Sequence, residues 1–318
     1  MSDVNVRELS QKIWARPNVF LPHQMNRALT CPPDFSVSDW NGVSFIHRET
    51  DDEQIYFVAS SQRTERQLTC RFRVEGEPEL WEPDTGARRK IADWRDCGDG
   101  TTEVVLNVEP AGSVFVVFRR HPGDDLLPPR PALDTAMTLA EPWQVSFGEE
   151  GAMRVFQTLE PWNESQDESI RYFSGEAVYR TEFEWSGGSA SALDLGQVHE
   201  LAVVTLNGVE LGTAWKPPYR VDLSGALKRG RNQLEVRVAN LWVNRLIGEA
   251  RKPDPLPRWE KVMGEFGLAH VVKAIPEDVV NGTRKSLFSV TTFWKANDPL
   301  RPSGLLGPVS IMKRGEAK

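Results

Sequence analysis

Hydrophobic and polar residues alternate along much of the chain from residue 43 onward. In residues 68–74 (LTCRFRV) every second residue is apolar, and the residues between them are Thr or Arg. This pattern is typical of a strand with one buried and one solvated face. Residues 113–118 (SVFVVF) are mostly apolar without alternation, which indicates a buried central strand. Several such segments separated by turn signals predict a β-sandwich over residues 38–121.

The same alternation returns in the second half of the chain. It is present in residues 179–185 (YRTEFEW), 219–223 (YRVDL) and 234–238 (LEVRV). Asn207-Gly208 lies between two apolar segments, and this dipeptide strongly favours a β-hairpin because both turn positions need positive φ. We therefore predict a second antiparallel β domain, a jelly roll, over residues 143–318. The predicted fold class is all-β, an antiparallel β-sandwich followed by a jelly roll, with few short helices.

Two segments outside these domains have less regular patterns. Residues 1–37 contain one short helical spacing, Val6, Leu9 and Ile13, followed by several prolines, which predicts an irregular N-terminal lead-in. Residues 122–142 contain five prolines and are predicted to form a stiff, extended linker between the domains.

Composition narrows the classes of partner. The 318 residues carry a formal net charge of −7 and no basic tract, which argues against nucleic acid binding. No apolar run is long enough to span a membrane. The start of the chain lacks the apolar core of a secretory signal, so a standalone chain is expected to be cytoplasmic. Three widely spaced cysteines predict neither a disulfide framework nor a zinc site.

Motifs of the common catalytic chemistries are missing from the sequence. The five histidines show no HxH or HExxH spacing, the serines no GxSxG motif, and no glycine-rich loop is followed by GK[ST]. Adjacent acidic residues face opposite ways on a strand, so such pairs do not make the two facing carboxylates of a glycosidase. The sequence thus assigns no catalytic residue and no metal ligand.

Two groups of motifs resemble a known family. The first comprises His47-Arg48 and residues 54–59 (QIYFVA), 79–86 (ELWEPDTG) and 112–119 (GSVFVVFR). The second comprises residues 172–175 (YFSG), 179–181 (YRT), 206–212 (LNGVELG), 215–220 (WKPPYR), 240–248 (NLWVNRLIG) and 302–308 (PSGLLGP). Together, over about residues 32–314, they resemble the C-terminal β-domain region of glycoside hydrolase family 106 α-L-rhamnosidases. The second group is also similar to the sugar-binding, galactose-binding-like jelly roll of family 2 enzymes.

The resemblance implies a catalytic domain that this sequence does not contain. In the family the catalytic carboxylates lie in a (β/α)₈ barrel, which needs ~250 residues, and no β-α alternation occurs here. The expected partners are carbohydrate, rhamnose-containing glycans foremost, and a catalytic domain or chain. The expected cofactor is none, although analogy with the fold allows a structural calcium ion.

The best candidates for a binding site are Trp215 and Lys216, which precede two prolines, and a group that follows the strand at 234–238: Asn240, Trp242, Asn244 and Arg245. Aromatic faces with amide and guanidinium donors suit the C–H faces and hydroxyls of sugars. The same residues could instead fix loop geometry or dock the domain onto another one.

Three functions remain open from the sequence. The first is a non-catalytic accessory or carbohydrate-binding module pair of an α-L-rhamnosidase-like glycoside hydrolase. The second is a glycoside hydrolase that acts through an unrecognised acidic pair or a partner chain. The third is a structural scaffold or oligomerisation module.

Overall fold

A computed structural model describes residues 3–16, 33–121, 125–140, 142–148, 151, 153–223, 225–251 and 294–315. The chain divides into two compact units, Met1–Arg130 and Pro131–Lys318. Among the described residues the secondary structure is mainly antiparallel strands, as the alternation predicts. The first unit begins with helix α1 (Asp3–Trp14), which confirms the helical spacing in the predicted lead-in. Cys31 and several lead-in prolines lie outside the described residues.

The first unit is a β-sandwich of two antiparallel sheets. The five-stranded sheet contains, in spatial order, β2 (Val43–Glu49), β3 (Glu53–Ser60), β9 (Ser113–Arg119), β5 (Pro78–Trp81) and β6 (Arg88–Lys90). The four-stranded sheet contains β1 (Phe35–Val37), β4 (Arg66–Phe72), β8 (Thr102–Val108) and β7 (Trp94–Asp96).

Alternate residues of both sheets form one core in this unit. Leu68, Cys70 and Phe72 of β4 are buried there with Tyr56 and Val58 of β3. Cys70 is therefore a core residue, as its place in the alternation predicts, and burial raises the pKa of its thiol to about 12.

The second unit also consists of two facing sheets. The six-stranded sheet contains, in spatial order, β12 (Arg154–Phe156), β11 (Trp143–Phe147), β13 (Glu176–Trp185), β19 (Gly230–Ala239), β16 (Leu201–Leu206) and β17 (Val209–Ala214). The four-stranded sheet contains β10 (Leu133–Thr138), β21 (Ser310–Arg314), β14 (Ala192–Asp194) and β18 (Arg220–Asp222). A further pair is formed by β15 (Gln197–His199) and β20 (Gly304–Gly307).

Short helical segments lie beside these sheets. They are a 3₁₀ turn (Trp162–Glu164), α2 (Glu168–Arg171) and α3 (Val243–Ala250). The core contains Trp143, Trp162 and Trp185, so several of the eleven tryptophans fill the interior. The predicted hairpin is confirmed: Asn207 and Gly208 join β16 to β17 with φ of 53° and 81°.

The predicted linker differs from the structure. The boundary between the units falls inside residues 122–142, but the described part of this segment is not a free connector. The backbone of Leu127 bonds to Arg88 and Lys90 in the first unit. Residues 133–138 form β10, which pairs with β21 in the second unit. The prolines do not prevent this strand because none of them lies within it.

Candidate functional site

Two predicted site residues, Trp215 and Trp242, lie at one end of the six-stranded sheet. Ala202 of β16 pairs with Ala214 of β17 on one side and with Val238 of β19 on the other. Because both neighbours are antiparallel to β16, β17 and β19 run in the same direction and end at the same edge. At the usual strand spacing, the ends of these two strands are about 10 Å apart. Trp215 directly follows the end of β17, and Trp242 lies three residues beyond the end of β19.

Both indoles are open to solvent. Trp215 is 60% exposed and Trp242 is 57% exposed. Leu241, beside Trp242, and Leu201, which starts β16 at the same end of the sheet, are also exposed. We call these four residues the sheet-end surface. Large apolar groups gathered in this way on a folded protein commonly mark an interaction site.

Asn240 lies between β19 and Trp242, and its side chain bonds to the turn before β13. Its Oδ1 accepts a hydrogen bond from the backbone N–H of Gly175 at 3.1 Å, and its Nδ2 donates to the carbonyl of Phe173 at 2.9 Å. Gly175 has φ of +142°, and a Cβ there would lie 3.2 Å from the Phe173 ring. Only glycine is comfortable at this position. The amide of Asn240 thus ties the turn before β13 to the end of β19.

Asn244 is buried, and this corrects its assignment as a sugar contact. Its side chain is 1% exposed. Nδ2 donates to the carbonyl of Arg301 at 2.7 Å and to Oγ of Ser303 at 3.1 Å, while Oδ1 accepts from the N–H of Arg301 at 2.8 Å. A ligand cannot reach an amide that is enclosed in this way. Asn244 is a clamp between α3 and the segment that leads into β20.

Arg245 and Lys216 are partly buried. Residues 243–250 form helix α3, in which Val243 and Ile247 pack their side chains inward one turn apart. On this helix Arg245 pairs with buried Glu249, with Nη2 and Oε1 3.0 Å apart. The guanidinium is thus engaged within the helix. Lys216 follows Trp215 directly and precedes the two prolines.

Several residues of the family motifs support the fold. Nε1 of Trp162 donates to the hydroxyl of Tyr179, which also accepts the N–H of Leu305 at 3.2 Å. A Cβ on Gly304 would lie 2.4 Å from Nε1 of Trp162, so a larger residue there would displace the indole. Burial raises the pKa of the Tyr179 hydroxyl. This network joins the 3₁₀ turn, β13 and β20 in the core of the second unit.

The carboxyl groups with clear pKa shifts are not suited to acid catalysis. Burial opposes ionisation of Glu82, but hydrogen bonds from Arg130 and Arg89 outweigh it and lower its pKa to about 2. The pKa values of Asp99, Asp167 and Glu182 are lowered as well, mainly by hydrogen bonds from Thr101, Ser169 and Arg231 respectively. The general acid of a glycosidase requires the opposite shift.

The described ranges offer neither a metal site nor a membrane-spanning helix. Within them, no group of three or more His, Cys, Asp or Glu side chains is placed to hold a metal ion. None of the helices in that part of the chain has the length and apolar character needed to cross a bilayer. The calcium ion that fold analogy allows stays a prediction.

Sequence reasoning missed two members of the sheet-end surface, Leu201 and Leu241. Leu201 begins an apolar strand and Leu241 lies within a family motif, so both are consistent with core positions. Leu201 is exposed because it alternates with buried Ala202 in β16, and Leu241 lies in the short connection between β19 and α3. The only available signal was the position of Leu241 between Asn240 and Trp242.

Two parts of the chain match families of glycoside hydrolases. Residues 5–95 match the alpha-L-rhamnosidase family, glycoside hydrolase family 106. Residues 157–305 match the galactose-binding domain-like family of glycosyl hydrolase 2. The chain resembles the β domains of α-L-rhamnosidases. The first match begins inside α1, so the resemblance starts earlier than residue 32, where the sequence motifs placed it.

Individual relatives agree with these matches. A rhamnosidase structure from Novosphingobium sp. PP1Y is 32% identical, with a TM-score of 0.71 over 98% of this chain and 29% of its own. This match confirms the all-β fold. A putative beta-glucuronidase from Formosa agariphila is 37% identical over 186 residues, which is 54% of this chain and 15% of the relative. The chain thus spans less than a third of either protein.

Proposed function

We propose that this chain is a non-catalytic, carbohydrate-binding part of an α-L-rhamnosidase-like glycoside hydrolase. The observation that carries the proposal is the pair of exposed indoles, Trp215 and Trp242, at one end of the six-stranded sheet. The matches to rhamnosidase and galactose-binding domain-like families support a carbohydrate context.

The geometry of the sheet-end surface suits a sugar. An indole presents a flat apolar face together with one N–H donor. Trp215 follows the end of β17 and Trp242 lies three residues beyond the end of β19, at the same edge of the sheet. Two indole faces at one edge can contact a short oligosaccharide, whose ring C–H groups stack on aromatic faces. Asn240, two residues before Trp242, is bonded to the turn before β13, which restrains the backbone that carries this indole. We expect the ligand to be a rhamnose-containing oligosaccharide.

The non-catalytic role rests on chemistry. Among the described residues, each carboxyl group with a clear shift has a lowered pKa, and Glu82, which is buried, is held ionised by Arg89 and Arg130. A carboxyl group with a lowered pKa is ionised at neutral pH, so it holds no proton to donate to a leaving group.

A direct test is titration of the purified chain with rhamnose-containing oligosaccharides while tryptophan fluorescence is recorded. We expect a saturable change that is lost or weakened about tenfold (~1.4 kcal/mol) in Trp215→Ala and in Trp242→Ala. Trp40→Ala is the matched control, because Trp40 is 50% exposed but lies in the first unit. A flat titration across a broad glycan panel would rule out the binding role.

The catalytic alternative has its own assay. Incubation of the folded chain with an aryl α-L-rhamnoside is expected to release no aryl alcohol above background. Sustained release by pure protein would contradict the non-catalytic role.

The sheet-end surface also supports a second candidate function, docking onto a catalytic domain. Leu201 and Leu241 extend the apolar surface beyond the two indoles, as a protein contact requires. Docking predicts no response to any free glycan, so the same titration separates it from sugar binding.

A further inference from the structure

A second surface lies on the outer face of the six-stranded sheet, away from the core. Because side chains alternate along strands, Arg180 of β13 and Glu235 of β19 point outward while Tyr179 and Val236 are buried. The strand register aligns four outward residues in one row across β11, β13, β19 and β16. The row consists of Gln144, Arg180, Glu235 and Thr205.

This row lines a shallow cleft of about 580 Å³. Glu182 and Gln233 form a second row beside it, with Nε2 of Gln233 donating to Oε1 of Glu182 at 3.0 Å. Neighbouring side chains in a row are separated by the strand spacing of about 4.8 Å. The cleft therefore presents polar groups at regular intervals across the strands.

Each charged side chain that lines the cleft has a partner of opposite charge. Nε of Arg180 is 2.8 Å from Oε2 of Glu235. Glu182 pairs with Arg231, whose Nε lies 2.9 Å from Oε2 of the carboxylate. An ionic ligand would have to compete with these pairs, whereas a neutral ligand can add hydrogen bonds to them.

We propose that this cleft binds a neutral, hydroxyl-rich ligand, namely an uncharged oligosaccharide that lies along the row across the strands. A hydroxyl both donates and accepts, so one sugar hydroxyl can accept from Arg180 and donate to Glu235 at the same time. The amides of Gln144 and Gln233 offer further donors and acceptors along the same path. None of the residues that line the cleft is aromatic, so recognition here depends on hydrogen bonds.

The cleft is separate from the sheet-end surface. Glu235 lies four residues before Ala239, the last residue of β19, which is about 13 Å along a strand. The two surfaces therefore use different residues. The proposal does not depend on whether Trp215 and Trp242 bind a sugar.

Calorimetry with the full chain tests the proposal. The probes are xylohexaose, mannohexaose and cellohexaose, with hexagalacturonate as a charged comparison. We expect at least one neutral hexaose to bind, and the double variant Gln144→Ala/Gln233→Ala to weaken its affinity about tenfold or more. Both glutamines are exposed, so the variant is expected to stay folded. Gln67→Ala is the matched control, an exposed strand glutamine of the first unit.

Each outcome decides for or against the cleft. Binding that survives Trp215→Ala/Trp242→Ala but not the double glutamine variant supports it. Binding that is lost only in the tryptophan variants contradicts the proposal for the cleft and assigns the binding to the sheet-end surface. Failure of all three neutral hexaoses to bind, or binding of hexagalacturonate alone, overturns it as well, and the row is then simply a solvated face.

Discussion

Asn244 and Trp242 are two residues apart, yet the structure uses them in opposite ways. Asn244 is 1% exposed and binds the backbone of Arg301, whereas Trp242 is 57% exposed. The difference arises because α3 begins between them, at Val243, and turns the amide inward. A polar residue can thus hold the fold together while the aromatic residue beside it stays exposed to solvent.

The largest loss of stability is expected from a change at Asn244, which clamps α3 to the segment that leads into β20. Asn244→Ala removes hydrogen bonds to Arg301 and Ser303, which leaves the buried Ser303 hydroxyl and the part-buried backbone groups of Arg301 without this partner. We expect it to lower the free energy of unfolding by about 3 kcal/mol. Urea unfolding followed by circular dichroism measures this, with Trp242→Ala as the comparison, for which we expect less than about 1 kcal/mol. Equal losses in the two variants would remove the distinction between clamp and surface.

Glu82 also holds two segments together, but unlike Asn244 it is charged, so its contribution to stability depends on pH. The carboxylate of Glu82 is buried and binds Arg89 and Arg130, and its pKa falls from an ordinary 4.5 to about 2. Because the folded pKa is lowered, the stabilisation is present above pH 4.5 and is lost as the pH falls towards 2. We expect a loss of about 2–3 kcal/mol over that window.

Unfolding measured across this pH range in the wild type and in Glu82→Gln checks the assignment. The variant is expected to be less stable at neutral pH and to lose less stability on acidification. The Asn244 clamp has no titrating group, so Asn244→Ala is expected to keep the acid sensitivity of the wild type. An identical pH profile in the wild type and Glu82→Gln would refute this account of Glu82.

A smaller effect is expected from Asn240→Ala. This change removes the two hydrogen bonds to Phe173 and Gly175 that join the end of β19 to the turn before β13. Because the site is partly exposed, we expect a loss of about 1 kcal/mol in stability. Glycan affinity is expected to fall by a smaller factor than in Trp242→Ala. Denaturant unfolding and fluorescence titration of the same sample compare the two effects, and a larger affinity loss in Asn240→Ala would assign the ligand contact to the amide.

Most of the fold follows from local patterns. Alternation in residues 68–74 and 179–185 predicts strands with one buried face, and Asn207-Gly208 predicts a hairpin because both residues tolerate positive φ. Strand β10 was missed because its partner β21 lies far away in the sequence. Helix α3 was missed because its eight residues are too few for the pattern to distinguish a helix from a loop.

The candidate site was harder to predict. The residue types point to residues 215–245, but exposure depends on contacts that are distant in sequence, such as Asn244 with Arg301 57 residues later. The outer-face cleft was not predicted at all. Its residues alternate in sequence as any solvated strand face does, and only the register across four strands brings them into one row.

The most direct test of the sheet-end surface is a two-dimensional ¹H–¹⁵N NMR titration of the tryptophan indole N–H signals. Each of the eleven tryptophans contributes one signal, and single Trp→Phe variants assign them. On saturation with a rhamnose-containing oligosaccharide, we predict the largest shifts for Trp215 and Trp242, and little change for buried Trp143 or exposed Trp40. Shifts centred on Trp40, or no indole shift at saturating ligand, would contradict the proposal that this surface binds sugar.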